Sequence, residues 1–222
     1  MKFLRGFIDV SRKFDFVVFD LASGINRHTI DFALLAEKTI VVTSPSNLIS
    51  AYGSVRACLS RFMQLELGLY KRIQEYRARR FFRPLILMNN VTDFDQGKRA
   101  FEALEGAVEN RLNGTVDPFG IKMHYLGAVF HDPGLFKKSE EKRCPVPVAS
   151  AYSKVAFCVD SMASTLCSSS PISGFDEETR LRYTVQMLME QQERLRRGLT
   201  QKVMSVSSLK IPFRHRSQSI SH

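Results

Sequence analysis

TIVVTSPSNLISAYGSVRACLSR, from Thr39 to Arg61, is the stretch on which the fold turns. Thr39 to Thr43 is too short for a helix and mostly apolar on both faces, the pattern of a strand buried inside a parallel sheet. Pro45 then sets a turn, Ser46 or Asn47 supplies a capping side chain, and helical spacing follows. A buried strand feeding a helix within a few residues is one half of a βαβ unit.

The same grammar repeats outward. Phe16 to Asp20 (FVVFD), Pro84 to Asn89 (PLILMN) and Lys122 to Leu126 (KMHYL) read as three further strands. Between and after them, helical periodicity covers 29–37, 47–80 as a long or broken helix, 94–112, 133–142 and 150–166. The class is therefore α/β, a mostly parallel sheet with helices on both faces. The fold domain is expected over 1–167, and the Ser/Pro/Gly cluster at 168–175 reads as a linker. Leu181, Val185, Leu188, Leu195, Leu199 and Val203 then mark an amphipathic helix over 176–204, acidic at its start and arginine-rich near its end. The Ser-rich basic residues 205–222 are too poor in apolar side chains for a core and read as a disordered tail.

Composition agrees with a globular domain: 44% of the 222 residues are hydrophobic and 24% charged, enough to bury a sizeable core. The net charge of +10 is unevenly spread, since residues 193–222 carry seven basic side chains against Glu193, six of the ten excess charges. Aromatic residues are not interleaved with those charges, which makes nucleic acid an unlikely partner. Four dispersed cysteines without a CxxC pair suggest neither a zinc site nor a disulfide framework and fit a reducing cytoplasm. Arg5, Asp9, Arg12 and Lys13 interrupt the apolar start, so a signal-peptide core is not expected. No apolar run approaches the roughly 18 residues of a membrane span.

Chemistry concentrates at strand ends. Asp20 closes the FVVFD run and Gly24 follows, where in an α/β sheet a magnesium-bound phosphate is met and a loop approaches it closely. Strand-Asp-loop-Gly also occurs in many α/β proteins for structural reasons alone. Asn89 and Asn90 offer amides that read both donor and acceptor edges of a base, or serve as ordinary turn asparagines. His131 and Asp132 invite an acid-base reading, but no nucleophile accompanies them, and Asp132 reads best as a helix cap.

Taken together, Asp20-Leu21-Ala22-Ser23-Gly24, Val41-Val42-Thr43-Ser44-Pro45 with Ala51-Tyr52, Asn89-Asn90-Val91, and Tyr125-Leu126-Gly127 followed by Asp132 resemble the MinD/ParA-like ATPases. The likeness is greatest to the FlhG-type branch, which controls flagellar number and placement, and it covers about Met1 to Leu166. It implies an incomplete P-loop NTPase fold of the SIMIBI type. It also implies that Asp20 supports magnesium through water, that Gly24 lies near the γ-phosphate of ATP, that Pro45 belongs to the nucleotide-site turn, and that Asn89 recognises adenine. Implied partners are an FlhF-type flagellar GTPase or a second copy, with weak anionic-membrane contact through 181–203 and a cytoplasmic location peripheral to the inner membrane.

Two departures qualify that resemblance. Ala22 and Ser23 stand where the family has Gly-Ala, adding bulk to a loop that moves with the γ-phosphate. More importantly, no Gly-rich loop with G-K-[ST] occurs; Gly97-Lys98 is followed by Arg99. Phosphoryl transfer rests on that loop's N–H groups and lysine, so this chain is not expected to hydrolyse ATP alone. It reads as the carboxy-terminal portion of such a regulator, or as a non-catalytic binding or peripheral-membrane scaffold derived from one.

Overall fold

The computed structural model describes residues 6, 13–114, 118–168 and 177–207, with side chains from 179 to 197 in the final stretch. The elements are α1 (Arg27–Leu35), β1 (Ile40–Thr43), α2 (Leu48–Tyr70), β2 (Phe81–Phe82), β3 (Leu85–Val91), α3 (Phe94–Arg111), β4 (Gly120–Ile121), β5 (His124–Phe130), α4 (Pro133–Lys142), α5 (Val146–Ala149), α6 (Lys154–Ser168) and α7 (Glu177–Ser207). The architecture is α/β and mostly helical, around a small parallel sheet.

That sheet runs β1-β3-β5, parallel throughout, with Thr43 opposite Met88 and Ile86 opposite Tyr125. Ile86, Met88 and Val91 of β3 are buried in the main core with Val55, Phe62 and Leu65 of α2 and Phe101 and Leu104 of α3. On the other face, Leu85 and Leu87 pack with Leu126, Cys158 and Met162, so α6 covers the side that α2 and α3 do not. Helices on both faces are what a parallel sheet requires, because neither face can meet water. β2 and β4 add a two-residue parallel ladder that the sequence pattern does not announce.

One expected strand is absent from the sheet. Phe16 to Asp20 has strand composition but is not a strand, and among the described residues β1 pairs with β3. A strand exists through its neighbour's N–H and C=O groups, and local composition cannot supply that neighbour. The Phe19 ring instead lies 5.6 Å from Phe32 of α1, while Phe16 and Val18 are exposed.

Helix boundaries also moved. The 47–80 segment is helical to Tyr70 and then turns back, because the carboxylate of Glu66 is buried and gathers the returning chain. Glu66 accepts from the Tyr76 hydroxyl at 2.7 Å, from the Arg79 backbone N–H at 2.8 Å, and from Arg79 Nε and Nη2 at 2.9 and 2.7 Å. Burial, then the carboxylate's charge, pushes the Tyr76 hydroxyl well above its ordinary range. The helix expected over 150–166 is α6, which starts at Lys154 with Ser153 Oγ accepting from Ala156 N at 3.1 Å near its start, and the short α5 precedes the expected segment.

The last helix begins at Glu177 and reaches Ser207, beyond the expected 204. Its early apolar residues Val185, Met187 and Leu188 are buried in the main core, and Leu181 packs against that core. A polar clasp fastens the same region. Arg61 Nε donates to Asp31 at 2.6 Å and its Nη2 donates to Gln191 at 2.6 Å; Arg27 reaches the same Gln191 oxygen at 2.8 Å, and Arg72 pairs with Glu190 at 2.6 Å. Leu195 is exposed, and the side chains of Leu199 and Val203 lie outside the described ones. Residues 169–176, most of the expected linker, and 208–222 of the expected tail also lie outside the described residues. Among the described residues no helix is long and apolar enough to cross a membrane.

Asp31 and Arg61 are both buried, so removing one strands the other. Asp31→Ala is expected to lower the unfolding free energy by about 3 kcal/mol in urea titrations. The double replacement Asp31→Leu with Arg61→Met should recover most of that loss. Thiol accessibility gives a second check. Burial pushes the Cys58 thiol up to about 11 and raises Cys158 as well, whereas Cys167 is exposed. Under native conditions Cys167 is expected to react with a thiol reagent first, and Cys58 and Cys158 only on unfolding.

Candidate functional site at the carboxyl ends of the strands

In a parallel sheet every strand delivers its carboxyl end to one rim, which is where α/β proteins place ligands. After β1, Asn47 N donates to Ser44 O at 2.9 Å, closing a turn with Pro45 in its second position, where a fixed φ is favourable. Thr43 Oγ1 donates to Asn47 O at 3.2 Å, and the Ser44 and Ser46 hydroxyls are 3.0 Å apart. Asn47 occupies the capping position of α2 without a side-chain capping bond, so neither expected residue caps through its side chain.

β3 delivers Asn89 and Asn90 to the same rim, both exposed. Asn89 Oδ1 accepts from Asn90 N at 2.9 Å, and Asn90 takes a left-handed φ of 66°, a conformation asparagine tolerates better than most residues. Its side chain reaches His131 Nδ1, tying the ends of β3 and β5. Asp132 turns the other way, accepting from Leu135 N at 2.9 Å as the cap of α4 with Pro133 in the first turn. His131 and Asp132 therefore act separately, and the capping role expected for Asp132 is the observed one.

Asp93 caps α3, accepting from Gln96 N at 2.7 Å. That N–H, followed by the Thr92 hydroxyl, holds its carboxyl below the usual range. Beside it, Phe94, Phe130, Tyr152, Phe157 and Lys154 line a recess of about 420 Å³. The Phe94 and Phe130 rings meet edge-on at 4.7 Å, and Lys154 Nζ is 5.9 Å from the Phe130 ring. These residues are spread over 64 positions, 94–157, without a local pattern, so only the topology collects them.

Of the expected site residues, Pro45 and Asn89 share the rim because β1 and β3 are adjacent. Asp20 is exposed, belongs to no strand and makes no hydrogen bond with them. Gly24 has φ +119° with open space about it, as a loop glycine requires. The loop lies over α2, because a Cβ on Gly53 would come 3.2 Å from Ile25 Cδ1. Ala22 and Ser23 in that loop are exposed.

Mg-ATP needs more than this rim offers. Among the described residues no three His, Cys, Asp or Glu side chains gather to hold a metal. Gly97-Lys98 lies inside α3, where a Cβ at Gly97 would come 2.8 Å from the Tyr125 hydroxyl and 3.1 Å from Ala128 Cβ. That glycine brings a helix close to β5 and cradles no phosphate. The described residues of the rim supply amide and turn groups without a phosphate cradle, and so do not by themselves fit the nucleotide. No protein-family model matches the sequence, and no curated protein matches it.

Losing the Asp132 cap should be local and moderate: Asp132→Ala is expected to cost about 1 kcal/mol in denaturant titrations. Asp93 gives a pH signature. Its folded-state pKa is lowered, so its contribution is present at neutral pH and is lost as the pH falls through that lowered value. Asp93→Asn, which keeps a capping oxygen, should remove this part of the acid sensitivity in thermal melts between neutral and acidic pH.

Proposed function

We propose that this chain is a P-loop-less portion of a MinD/ParA-like, nucleotide-dependent positioning regulator of the type that sets flagellar number and placement, acting by binding and not by hydrolysis. The observation that carries the reading is the shared rim of β1 and β3. The Thr43-Ser44-Pro45 turn and Asn89 stand at neighbouring carboxyl ends, in the order the resemblance implies. Asp20 and Gly24 would form the far side of a nucleotide site whose phosphate-binding side this sequence does not contain. An FlhF-type GTPase is the partner this reading favours, and the exposed aromatic recess beside Asp93 offers a surface for a protein ligand.

The membrane role assigned to 181–203 is the weaker part of the reading, because the half of that stripe up to Leu188 is engaged with the body. A non-catalytic scaffold is the second reading, favoured by the same exposed recess.

The test uses the chain as it stands. A cooperative thermal transition unshifted by Mg-ATP, with no phosphate release above buffer, is the expected result. Phosphate release that Asp20→Ala abolishes would overturn the non-catalytic assignment. Reading the DNA upstream of Met1 in all three frames addresses the origin: a Gly-rich lysine loop supports the regulator portion, and its absence leaves the scaffold reading.

A further inference from the structure

A recess of about 40 Å³ lies at the amino ends of the strands, opposite the rim that holds Pro45 and Asn89. Thr39, just before β1, and Arg83, between β2 and β3, both line it. Arg79, Phe81 and Arg83 alternate along an extended segment, which turns their side chains to one side, and all three line the recess. Arg180 of α7 and Phe62 of α2 add to the wall.

The body holds two of these arginines in place. Glu66 accepts from Arg79 Nε and Nη2, and the Arg79 guanidinium stands 5.2 Å from the centre of the Phe62 ring. Arg180 is only 5% exposed. The charges of Arg79 and Arg180 both act on the Tyr76 hydroxyl, which lies 2.7 Å from Glu66, so the two guanidinium groups share one neighbourhood. Arg83 is exposed and supplies the third. Against these three cations stand Glu37 on the lining and Glu66 beside Arg79, which leaves one positive charge in excess. The surroundings increase that excess. Residues 77–83 add exposed Arg77 and Arg80 and contain no acid, and Lys122 Nζ is 4.1 Å from the Phe81 ring centre.

Guanidinium groups present N–H donors in a planar fork that matches the oxygens of phosphate, and a surrounding positive field draws such an anion in. The volume suits about three waters or one small oxyanion and is too small for a nucleotide. We propose that this recess binds a phosphate group, free or carried as a phosphomonoester, through Arg79, Arg83 and Arg180. The bound group ties α7 to the 79–83 segment and so strengthens the attachment of the last helix to the body. It needs neither magnesium nor the opposite rim, and it stands whether or not the nucleotide reading holds.

Calorimetric titration of the full chain with inorganic phosphate, at an ionic strength held constant with chloride, is expected to show one saturable site. The thermal transition should rise with phosphate and not with the matching chloride. Arg83→Ala is expected to weaken binding roughly tenfold with an unchanged far-UV spectrum, and Arg180→Lys, which keeps the charge but loses the fork, should weaken it too. Lys98→Ala, exposed on α3, should leave it unchanged. Phosphoserine separates the two sources: tighter binding than inorganic phosphate supports a phosphomonoester, weaker binding the free ion. Chemical protection of the wild-type chain covers the case in which an arginine variant misfolds. Phosphate should shield Arg83 from phenylglyoxal, read by peptide mass mapping. No saturable heat, a transition raised equally by chloride, binding indifferent to Arg83→Ala, or an unshielded Arg83 would each overturn the site.

Discussion

β3 is hydrogen-bonded along both edges and buried on one face to completion, and the rest of the described structure is arranged around it. Ile86, Met88 and Val91 expose nothing to solvent, while Leu85 and Leu87 point into the smaller core beneath α6. A parallel strand in that position has to be apolar on both sides and needs a helix over each face. α2 and α3 meet that need on one side and α6 on the other, and β1 and β5 complete its ladder. Removing either neighbour would leave backbone groups unpaired at the centre of the molecule, which is costlier than any surface contact.

Polar groups inside this frame set directions more than they add stability. Glu66 turns the chain back after α2 by collecting a hydroxyl and three N–H donors, and Arg61 draws α1, α2 and α7 to one point through Asp31 and Gln191. Buried ion pairs of this kind balance a large desolvation cost against a large attraction. α7 is consequently part of the body as far as Gln192, and its arginines beyond that point stand on an exposed face.

The rim at the strand ends contains recognition chemistry without a phosphate cradle. Asn89, Asn90 and His131 present amide and imidazole groups over two adjacent strands, and Pro45 shapes the turn on a third element. Gly97 illustrates how a dipeptide loses its motif meaning in context: inside a helix its missing side chain serves close packing on Tyr125 and Ala128.

Amino-acid order alone determined the α/β class, the three paired strands to within a few residues, most of the helices and the cap at Asp132. Each follows from local chemistry: periodicity, β-branching, or an oxygen three residues ahead of an N–H. Pro45 and Asn89 were legible as strand-end residues for the same reason. What only the tertiary structure decided is everything that depends on a neighbour far along the chain. FVVFD reads as a strand but takes no place in the described sheet, because pairing belongs to two segments and not to one. The clasp of Asp31, Arg61 and Gln191 joins residues up to 160 positions apart, and the aromatic recess gathers four rings that share no spacing. Burial and hydrogen bonding across the fold, which no local pattern encodes, chose those contacts.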